Sequence, residues 1–321
     1  MLVAAPLLAA GLPAAAQTAR PGGWPERPIR LVVPFVPGGP SDIVARALAQ
    51  ALSPALGQPV VVDNRAGGGG VVGTDAVAKA APDGHTVGLC SAGALAIAPT
   101  LLPAMPYDTQ RDLAPVTLGV KVAEILAVAP ALPARSLEEL VALAKRRPGG
   151  LNYATSGNGS MPHLAMEALR FAAGVDVVHV PYRSGGQIVA SVLAGETQMG
   201  FADLPILLPQ LRAGTLRPLA IGSEARSALV PDVPTTAEAG LPQVRADNWH
   251  GFVAPGGTPP VLVSALRDVV AAALGSPALS RVLLDQGAEP GGDAPEHFAA
   301  FIRSETARWG EVVRRAGVKP D

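Results

Sequence analysis

Apolar runs alternate with amphipathic segments along most of this chain, which is the pattern of an α/β protein. Residues 31–36 are apolar with several β-branched side chains, and they predict a buried strand. A Pro-Gly-Gly-Pro sequence ends the strand, and apolar residues then recur at helical spacing from Ile43 to Leu52. The pattern therefore predicts a strand, a glycine turn and a helix, with Ser41 or Asp42 as the helix N-cap.

The same corner recurs twice further along the chain. Residues 151–155 lead through a Gly- and Ser-rich turn into a helix with Pro162 in its first turn. Residues 177–182 lead through another such turn into a helix that Gly195 ends. Because a helix N-terminus leaves backbone N–H groups without partners, each corner is a candidate anion site, and the three can converge on one cleft. An ordinary connection between strand and helix is the alternative at each corner.

The remaining pattern extends the alternation to the C-terminus. Further strands are predicted at residues 59–63, 86–90, 116–128 and 249–255, and near residues 198 and 216. Further helices are predicted at residues 74–81, 259–274, 277–286 and 295–316, and a Ser-x-x-Glu capping box at Ser136 begins another.

Composition narrows the classes of function. The 321 residues allow one large or two medium domains, and a formal net charge of -1 without a basic stripe argues against a nucleic-acid partner. A single cysteine excludes an intramolecular disulfide and a multi-cysteine metal site, and the five histidines show no close ligand spacing. We therefore expect no metal and no cofactor.

Catalytic motifs are equally sparse. Gly68, Gly70 and Gly73 match the G-x-G-x-x-G pattern after a strand, but the acid expected at the end of the next strand is replaced by Cys90 and Ser91. Cys90 is expected to be a small buried residue at a strand end. No nucleophile, base and orienting group can be assembled from the sequence, so no catalytic residue is predicted.

The N-terminal residues 2–16 are almost entirely apolar and too few for a comfortable membrane span. Three alanines at positions 14–16 fit the small-residue rule for signal-peptide cleavage, although a basic leading region is missing. We expect residues 1–23 to comprise a truncated signal peptide and a leading segment, and the mature protein to be exported and soluble. A disordered Ala-rich tail is the alternative.

Several short motifs, taken in order, resemble those of the Bug (TctC-type) family, the extracytoplasmic receptors of tripartite tricarboxylate transporters. The resemblance covers essentially the whole mature chain, and the order of its motifs is more specific than any one of them. The motifs are Val32-Val33-Pro34-Phe35 with Gly38-Gly39 and Asp42, Asn64-Arg65, Ala81-Pro82-Asp83-Gly84, residues 154–160 with His163 and Glu167, His179-Val180-Pro181-Tyr182, Pro234-Thr235 with Glu238, residues 249–259 and Gln286-Gly287-Ala288.

The resemblance implies an α/β fold of the type II periplasmic-binding-protein class, with two lobes and a ligand cleft between them. The extended runs at residues 116–128 and 249–255 lie where the family's two crossovers belong. Lobe one is then expected at residues 24–122 plus 250–321, and lobe two at residues 123–249. The implied protein is a periplasmic monomer that binds a small di- or tricarboxylate or an amino acid and passes it to permease subunits.

The candidate ligand-binding residues combine the three corners with the family's motifs. They are Gly38, Gly39, Ser41, Asp42, Ser91, Thr155, Ser156, Gly159, Ser160, His163, Tyr182, Ser184, Gly185 and Asp203. We predict that backbone N–H groups of the corners hold the carboxylate, whereas Arg183 either grips it or supports the rim. Asp203 either contacts the ligand or caps a helix.

Three roles remain open for such a protein. Delivery to a permease is the leading hypothesis, and presentation of the ligand to a signalling kinase would use the same cleft. An enzyme on the same two-lobed fold is the third. Pro37, Pro40, Arg183 and His250 depart from the family's common residues and leave the identity of the ligand open.

Overall fold

The computed structural model describes residues 21–320 and contains ten strands in this range. Residues 1–20, with the predicted signal-peptide cleavage site, lie outside the described residues. The strands are β1 (Ile29–Val33), β2 (Val60–Asn64), β3 (Thr86–Ser91), β4 (Leu113–Val128), β5 (Asn152–Thr155), β6 (Val178–Pro181), β7 (Met199–Asp203), β8 (Arg217–Ile221), β9 (Asp247–Pro255) and β10 (Ala288–Pro290).

Helices connect most of these strands. They are α1 (Pro40–Leu56), α2 (Val71–Ala78), α3 (Ala98–Leu101), α4 (Leu137–Arg146), α5 (Met161–Ala173), α6 (Gly185–Ala194), α7 (Leu204–Arg212), α8 (Pro260–Leu274), α9 (Pro277–Asp285) and α10 (Pro295–Ala316), and a π-helical turn, Gly93–Ile97, runs into α3. Among residues 21–320 no single helix has the length and apolarity of a membrane span, although α8 and α9, bent by 72°, meet these two criteria as a pair.

The sheet has two halves that share β4. Strands β2, β1 and β3 are parallel neighbours in one half, and β6, β5 and β7 are parallel neighbours in the other. The first part of β4, from Leu113 to Ala123, pairs antiparallel with β9, whereas Glu124 to Val128 pair with β7 and β8. The chain therefore forms two α/β lobes whose sheets meet at the long strands β4 and β9.

Apolar side chains form a main core in each lobe. In the first lobe, Leu31 and Leu89 of the sheet pack with Leu48 of α1 and Leu266 of α8 in one buried cluster. In the second lobe, Tyr153 and Phe201 pack with Leu140 of α4 and Leu169 of α5. A third buried cluster joins Leu164 of α5 to Trp309 of α10, so the two lobes also pack against each other there.

Two helix starts differ from the sequence-based prediction. The N-cap of α1 is Gly39 in extended conformation, with Pro40 at the first helical position, so Ser41 and Asp42 lie inside the first turn. The fixed φ of proline suits that position and moves the cap back. Helix α2 begins at Val71 rather than at Thr74, because Gly70 before it adopts the left-handed conformation at φ 101.

The predicted cap at Ser136 is confirmed, and two further serine caps are found that the sequence analysis did not predict. The hydroxyl of Ser136 accepts from the N–H of Glu139, and the equivalent contacts join Ser160 to His163 and Ser184 to Gln187. The last two caps fix the N-termini of α5 and α6 at the second and third corners.

Candidate functional site

A cleft between the two lobes contains two adjoining chambers. The loop chamber, of about 670 Å³, lies among the glycine turn before α2, the end of β3 and the loop between β5 and α5. The apolar chamber, of about 500 Å³, lies beside α1, β4 and the start of α6. Both are lined by Phe35, Gly185, Asp203, Ile206 and Asn248, so these residues form the boundary between the chambers.

At the first corner, after β1, a buried carboxylate holds the turn. Gly38 donates its N–H to Oδ2 of Asp42 at 2.9 Å, and Arg46 and Asn64 donate to the same carboxylate. The hydrogen bond from Arg46 is the main reason that the pKa of Asp42 falls to about 2. The Gly38 N–H and the Asp42 carboxylate therefore satisfy each other, which corrects the prediction that this N–H is free for a ligand.

Ser41 connects this corner to β9. Its hydroxyl lies 2.9 Å from Nε2 of His250, and the His250 ring meets Phe35 edge-on with 5.9 Å between ring centroids. Burial lowers the pKa of His250 to about 4, so its ring is neutral at neutral pH. Ser41, His250 and Phe35 line the apolar chamber as a neutral wall.

At the second corner, stacked rings support the loop between β5 and α5. His163 and His179 stack with 3.9 Å between centroids, and Tyr153 also stacks with His179 at 5.1 Å. Gly159 donates its N–H to Nδ1 of His163 at 3.0 Å, and Thr155 Oγ1 lies 2.6 Å from Nε2 of His179. Thr155 and His163 thus support the loop. The N–H of Gly159 donates to His163 and is therefore not available to a ligand.

Gly159 itself needs to be a glycine. Its φ of +69 lies in the left-handed region, and a Cβ there would lie 2.2 Å from Cδ2 of Leu101 in the opposite lobe. A side chain at this position would therefore strain the backbone and displace the side chain of Leu101.

At the third corner, the N-terminus of α6 faces the boundary between the chambers. Ser184 caps the helix through Gln187, and Gly185 lies so close to Ile206 that a Cβ would be 2.6 Å from Cδ1 of that side chain. The N–H groups of Gly185 and Gly186 belong to the first turn, where no acceptor within the helix is available. Arg183 is exposed and reaches the loop chamber.

The floor of the cleft carries two carboxyl groups that oppose each other across β4 and β7. Glu124 and Asp203 are register partners, and both side chains line the loop chamber. Asn248 of β9 donates Nδ2 to Oδ1 of Asp203 at 3.3 Å. The side chain of Asp203 makes no cap hydrogen bond with α7, so the capping alternative is wrong and this carboxyl belongs to the cleft.

The cleft brings together nine of the fourteen predicted residues. They are Gly38, Ser41, Ser91, Ser156, Gly159, Ser160, Ser184, Gly185 and Asp203. The other five do not line either chamber within the described chain, and they are Gly39, Asp42, Thr155, His163 and Tyr182. Tyr182 instead donates its hydroxyl to Glu196 at 3.1 Å.

Sequence reasoning missed Glu124 and Asn248. Glu124 is the single acid in the predicted apolar run of residues 116–128, and that isolated charge was the available signal. Asn248 has no comparable signal, because it is placed by pairing between strands that are far apart in sequence.

Other chemistry is limited in the described part of the chain. No group of three histidine, cysteine, aspartate or glutamate side chains could hold a metal ion among residues 21–320. Cys90 is buried, as predicted, and burial raises the pKa of its thiol to about 12, so it is no thiolate nucleophile.

Comparison with known proteins identifies what this arrangement resembles. Residues 44–318 match the profile of the tripartite tricarboxylate transporter family receptor. Protein BugT of Bordetella pertussis is 42% identical over 297 residues, which cover 92% of this chain and 91% of BugT.

Two solved structures add ligands to the comparison. Rpa4515 of Rhodopseudomonas palustris, solved with adipate, is 37% identical with a TM-score of 0.81, over 93% of this chain and 100% of that one. MatC (Rpa3494) of the same organism, solved with bound malate, is 33% identical with a TM-score of 0.76, over 90% and 100% of the two chains. The predicted two-lobed binding-protein fold is confirmed by these matches.

Proposed function

This chain belongs to the tripartite tricarboxylate transporter family of receptors, and from that premise we propose that it captures a small carboxylate in the interlobe cleft and delivers it to a permease. The permease consists of other chains, and the receptor works in the periplasm as a monomer. The observation that carries the proposal is the cleft itself, where loops of both lobes converge on one cavity. Adipate and malate in the two solved relatives support a carboxylate as the ligand.

The carboxylate binds at the boundary between the chambers. Gly185 lies there at the N-terminus of α6, where backbone N–H groups and the helix dipole favour an anion. Hydroxyl groups of Ser91 and Ser156 line the loop chamber and complete the set of donors. Four of the predicted residues hold the loops in place and do not contact the ligand: Gly38, Asp42, His163 and Thr155.

The body of the ligand extends into the apolar chamber. Val44 of α1, Val120 and Val122 of β4 and Ile206 of α7 provide the walls there. Burial of hydrocarbon against these side chains contributes about 25 cal/mol per Å² of apolar surface. A carboxylate with several methylene groups or a ring therefore binds more tightly than acetate.

Closure of the lobes links binding to delivery. Ligand contacts come from both lobes, so the ligand stabilises the closed form relative to the open form. The hinge lies in β4 and β9, and we retain residues 24–122 plus 250–321 and residues 123–249 as the proposed lobes. The permease distinguishes the closed receptor from the open one.

A thermal-shift panel tests the proposal. It contains mono-, di- and tricarboxylates, amino acids, aromatic acids, sugars and simple cations. A ligand that binds only the folded protein raises its apparent stability by mass action, so a micromolar binder at millimolar concentration is visible. Stabilisation by carboxylates supports the proposal, and stabilisation by sugars or cations alone contradicts it.

Recovery of the ligand separates a receptor from an enzyme. The stabilising carboxylate is incubated with the protein, released by denaturation and identified by mass spectrometry. We expect it unchanged after prolonged incubation. A new product would instead show that this two-lobed protein is an enzyme.

A further inference from the structure

Glu124 is a buried carboxyl group on the floor of the ligand cleft. It lines the loop chamber although only 1% of the residue is exposed. Its Oε2 atom has no hydrogen-bond donor among the described residues. Such an atom is costly to leave without a partner, so a ligand or a proton is expected to satisfy it.

Asp203 is the immediate neighbour of Glu124 in the sheet. The two residues are register partners on β4 and β7, and both line the loop chamber. Two ionised carboxylates side by side in a buried site repel each other, which favours a proton on one of them. The free receptor therefore keeps at least one proton on this pair.

Burial and nearby carboxyl groups favour the protonated form of Glu124. Burial, Asp203 and the neighbouring Asp247 of β9 all raise the pKa of Glu124 well above its usual value. Burial also raises the pKa of Asp203 to about 6, against the opposing hydrogen bond from Asn248. The pair thus holds its proton on Glu124 in preference to Asp203, and Asp203 is the group that titrates near pH 6.

Other charged groups lie around the pair. Burial raises the pKa of Asp247 to about 6, Glu289 of β10 adds to this rise, and three cations oppose it: Lys121 of β4, Arg245 and Arg308 of α10. Arg183 lies at the loop chamber. His250 of β9 is uncharged at neutral pH because burial lowers its pKa to about 4. Asp247 does not line either chamber, so it is a background charge for the pair.

An anionic ligand changes the protonation of this pair. We propose that Glu124 and Asp203 take up one proton from solvent when an oxyanion binds, and that the O–H group so formed donates a hydrogen bond to the ligand. One proton then bridges the two carboxyl groups, and the second points into the cleft towards the ligand. This inference rests on the proposed function, which makes the ligand a carboxylate.

The proton uptake predicts how affinity changes with pH. At pH 7.5 only a few per cent of the Asp203 carboxyl is protonated for a pKa of about 6, and at pH 6 about half of it is. The dissociation constant should therefore fall roughly tenfold between pH 7.5 and pH 6, and then level off as the pair becomes fully protonated. A ligand that instead placed an ammonium group on the pair would release protons and bind more weakly as the pH falls.

Calorimetric titration distinguishes proton uptake from proton release on ligand binding. The probe is whichever carboxylate stabilises the protein most in the panel, with adipate and malate among those tried. Titrations at pH 7 in two buffers of different ionisation enthalpy give the number of protons exchanged. Uptake of between half a proton and one proton per ligand is expected, whereas zero exchange or release overturns the inference. If carboxylates bind without uptake, the proposed function stands and this inference alone fails, but if none binds, both fail.

Isosteric variants assign the proton to the pair. In the double variant Glu124→Gln with Asp203→Asn, the amide groups keep donors in place but cannot titrate, so uptake should vanish and the affinity should no longer follow pH. The matched control Asp247→Asn removes a buried carboxyl outside the chambers and should keep the uptake. Loss of uptake in the control, or its persistence in the double variant, overturns the assignment.

Infrared spectroscopy of the free protein gives a readout that needs no ligand. A protonated carboxyl absorbs at higher frequency than an ionised one, and at pH 7 this band should be present in the wild-type protein and in Asp247→Asn. It should be lost in Glu124→Gln. A wild-type spectrum without the band contradicts the shared proton.

Discussion

Gly159 donates its backbone N–H to Nδ1 of His163 at 3.0 Å, so the loop between β5 and α5 is tied to the first turn of the helix that follows it. The ring of His163 is held in turn by stacking on His179. Burial, together with the nearby His179 and Arg170, lowers the pKa of His163 to about 3, which keeps Nδ1 an acceptor. The loop that faces the ligand is therefore positioned by a neutral histidine beneath it.

The first prediction tests this contact. Substitution His163→Ala removes the acceptor and leaves a buried N–H without a partner, which costs about 1–3 kcal/mol of folding free energy. His163→Asn is the matched control, because it also loses the ring stack but keeps an oxygen that can accept from Gly159. Denaturant unfolding should show a larger loss for His163→Ala, and ligand titration should show a larger drop in affinity. Equal losses in the two variants would mean that the ring stack alone matters.

The same residue predicts a pH dependence of stability. The folded pKa of His163, about 3, lies below its unfolded value of 6.5, so the unfolded chain binds the proton first as the pH falls. Stability contributed by the neutral ring is present above pH 6.5 and is lost as the pH falls from there towards 3. Unfolding measured across this window should depend less steeply on pH in His163→Asn than in the wild-type protein. An unchanged slope would contradict the lowered pKa.

Local features of the corners were predictable from sequence, and long-range pairing was not. The helices that follow the second and third corners were predicted from short-range rules, and both are present as α5 and α6. Asp42 was predicted to meet the ligand, but Arg46 and Asn64 compete for its carboxylate, and composition does not rank such partners. The meeting of Asp203 with Asn248 depends on how β7 and β9 each pair with β4, which no local pattern encodes.

The third prediction concerns the close approach of Gly159 to Leu101. Substitution Gly159→Ala adds a Cβ 2.2 Å from Cδ2 of Leu101 in a left-handed backbone conformation. Gly174 is the matched control, because it has a similar φ of +62 but a Cβ there would have no atom within 4 Å. Both variants should lose about 1–2 kcal/mol from backbone strain, but only Gly159→Ala should also bind the ligand at least tenfold more weakly by calorimetry. Equal affinities in the two variants would show that the loop can shift without affecting the cleft.

The last prediction decides between two ways of holding the carboxylate. Backbone capture at the N-terminus of α6 requires room at Gly185. A Cβ at Gly185 would lie 2.6 Å from Cδ1 of Ile206, whereas a Cβ at Gly186 would meet only Oγ of Ser184, at 4.0 Å. Gly185→Val should therefore abolish most binding, and the matched Gly186→Val, in the same helical turn, should retain it.

Arg183 is the rival to that helix terminus, because a guanidinium can grip a carboxylate with two parallel hydrogen bonds. The residue is exposed at the loop chamber, where water screens its charge. Arg183→Gln should therefore weaken binding by about 1 kcal/mol or less, which is less than about fivefold in affinity. Arg212→Gln removes the same charge from the exposed end of α7, outside both chambers, and corrects for the change in net charge. A loss of more than tenfold for Arg183→Gln that Arg183→Lys does not restore, together with tolerance of Gly185→Val, would assign the carboxylate to the guanidinium instead.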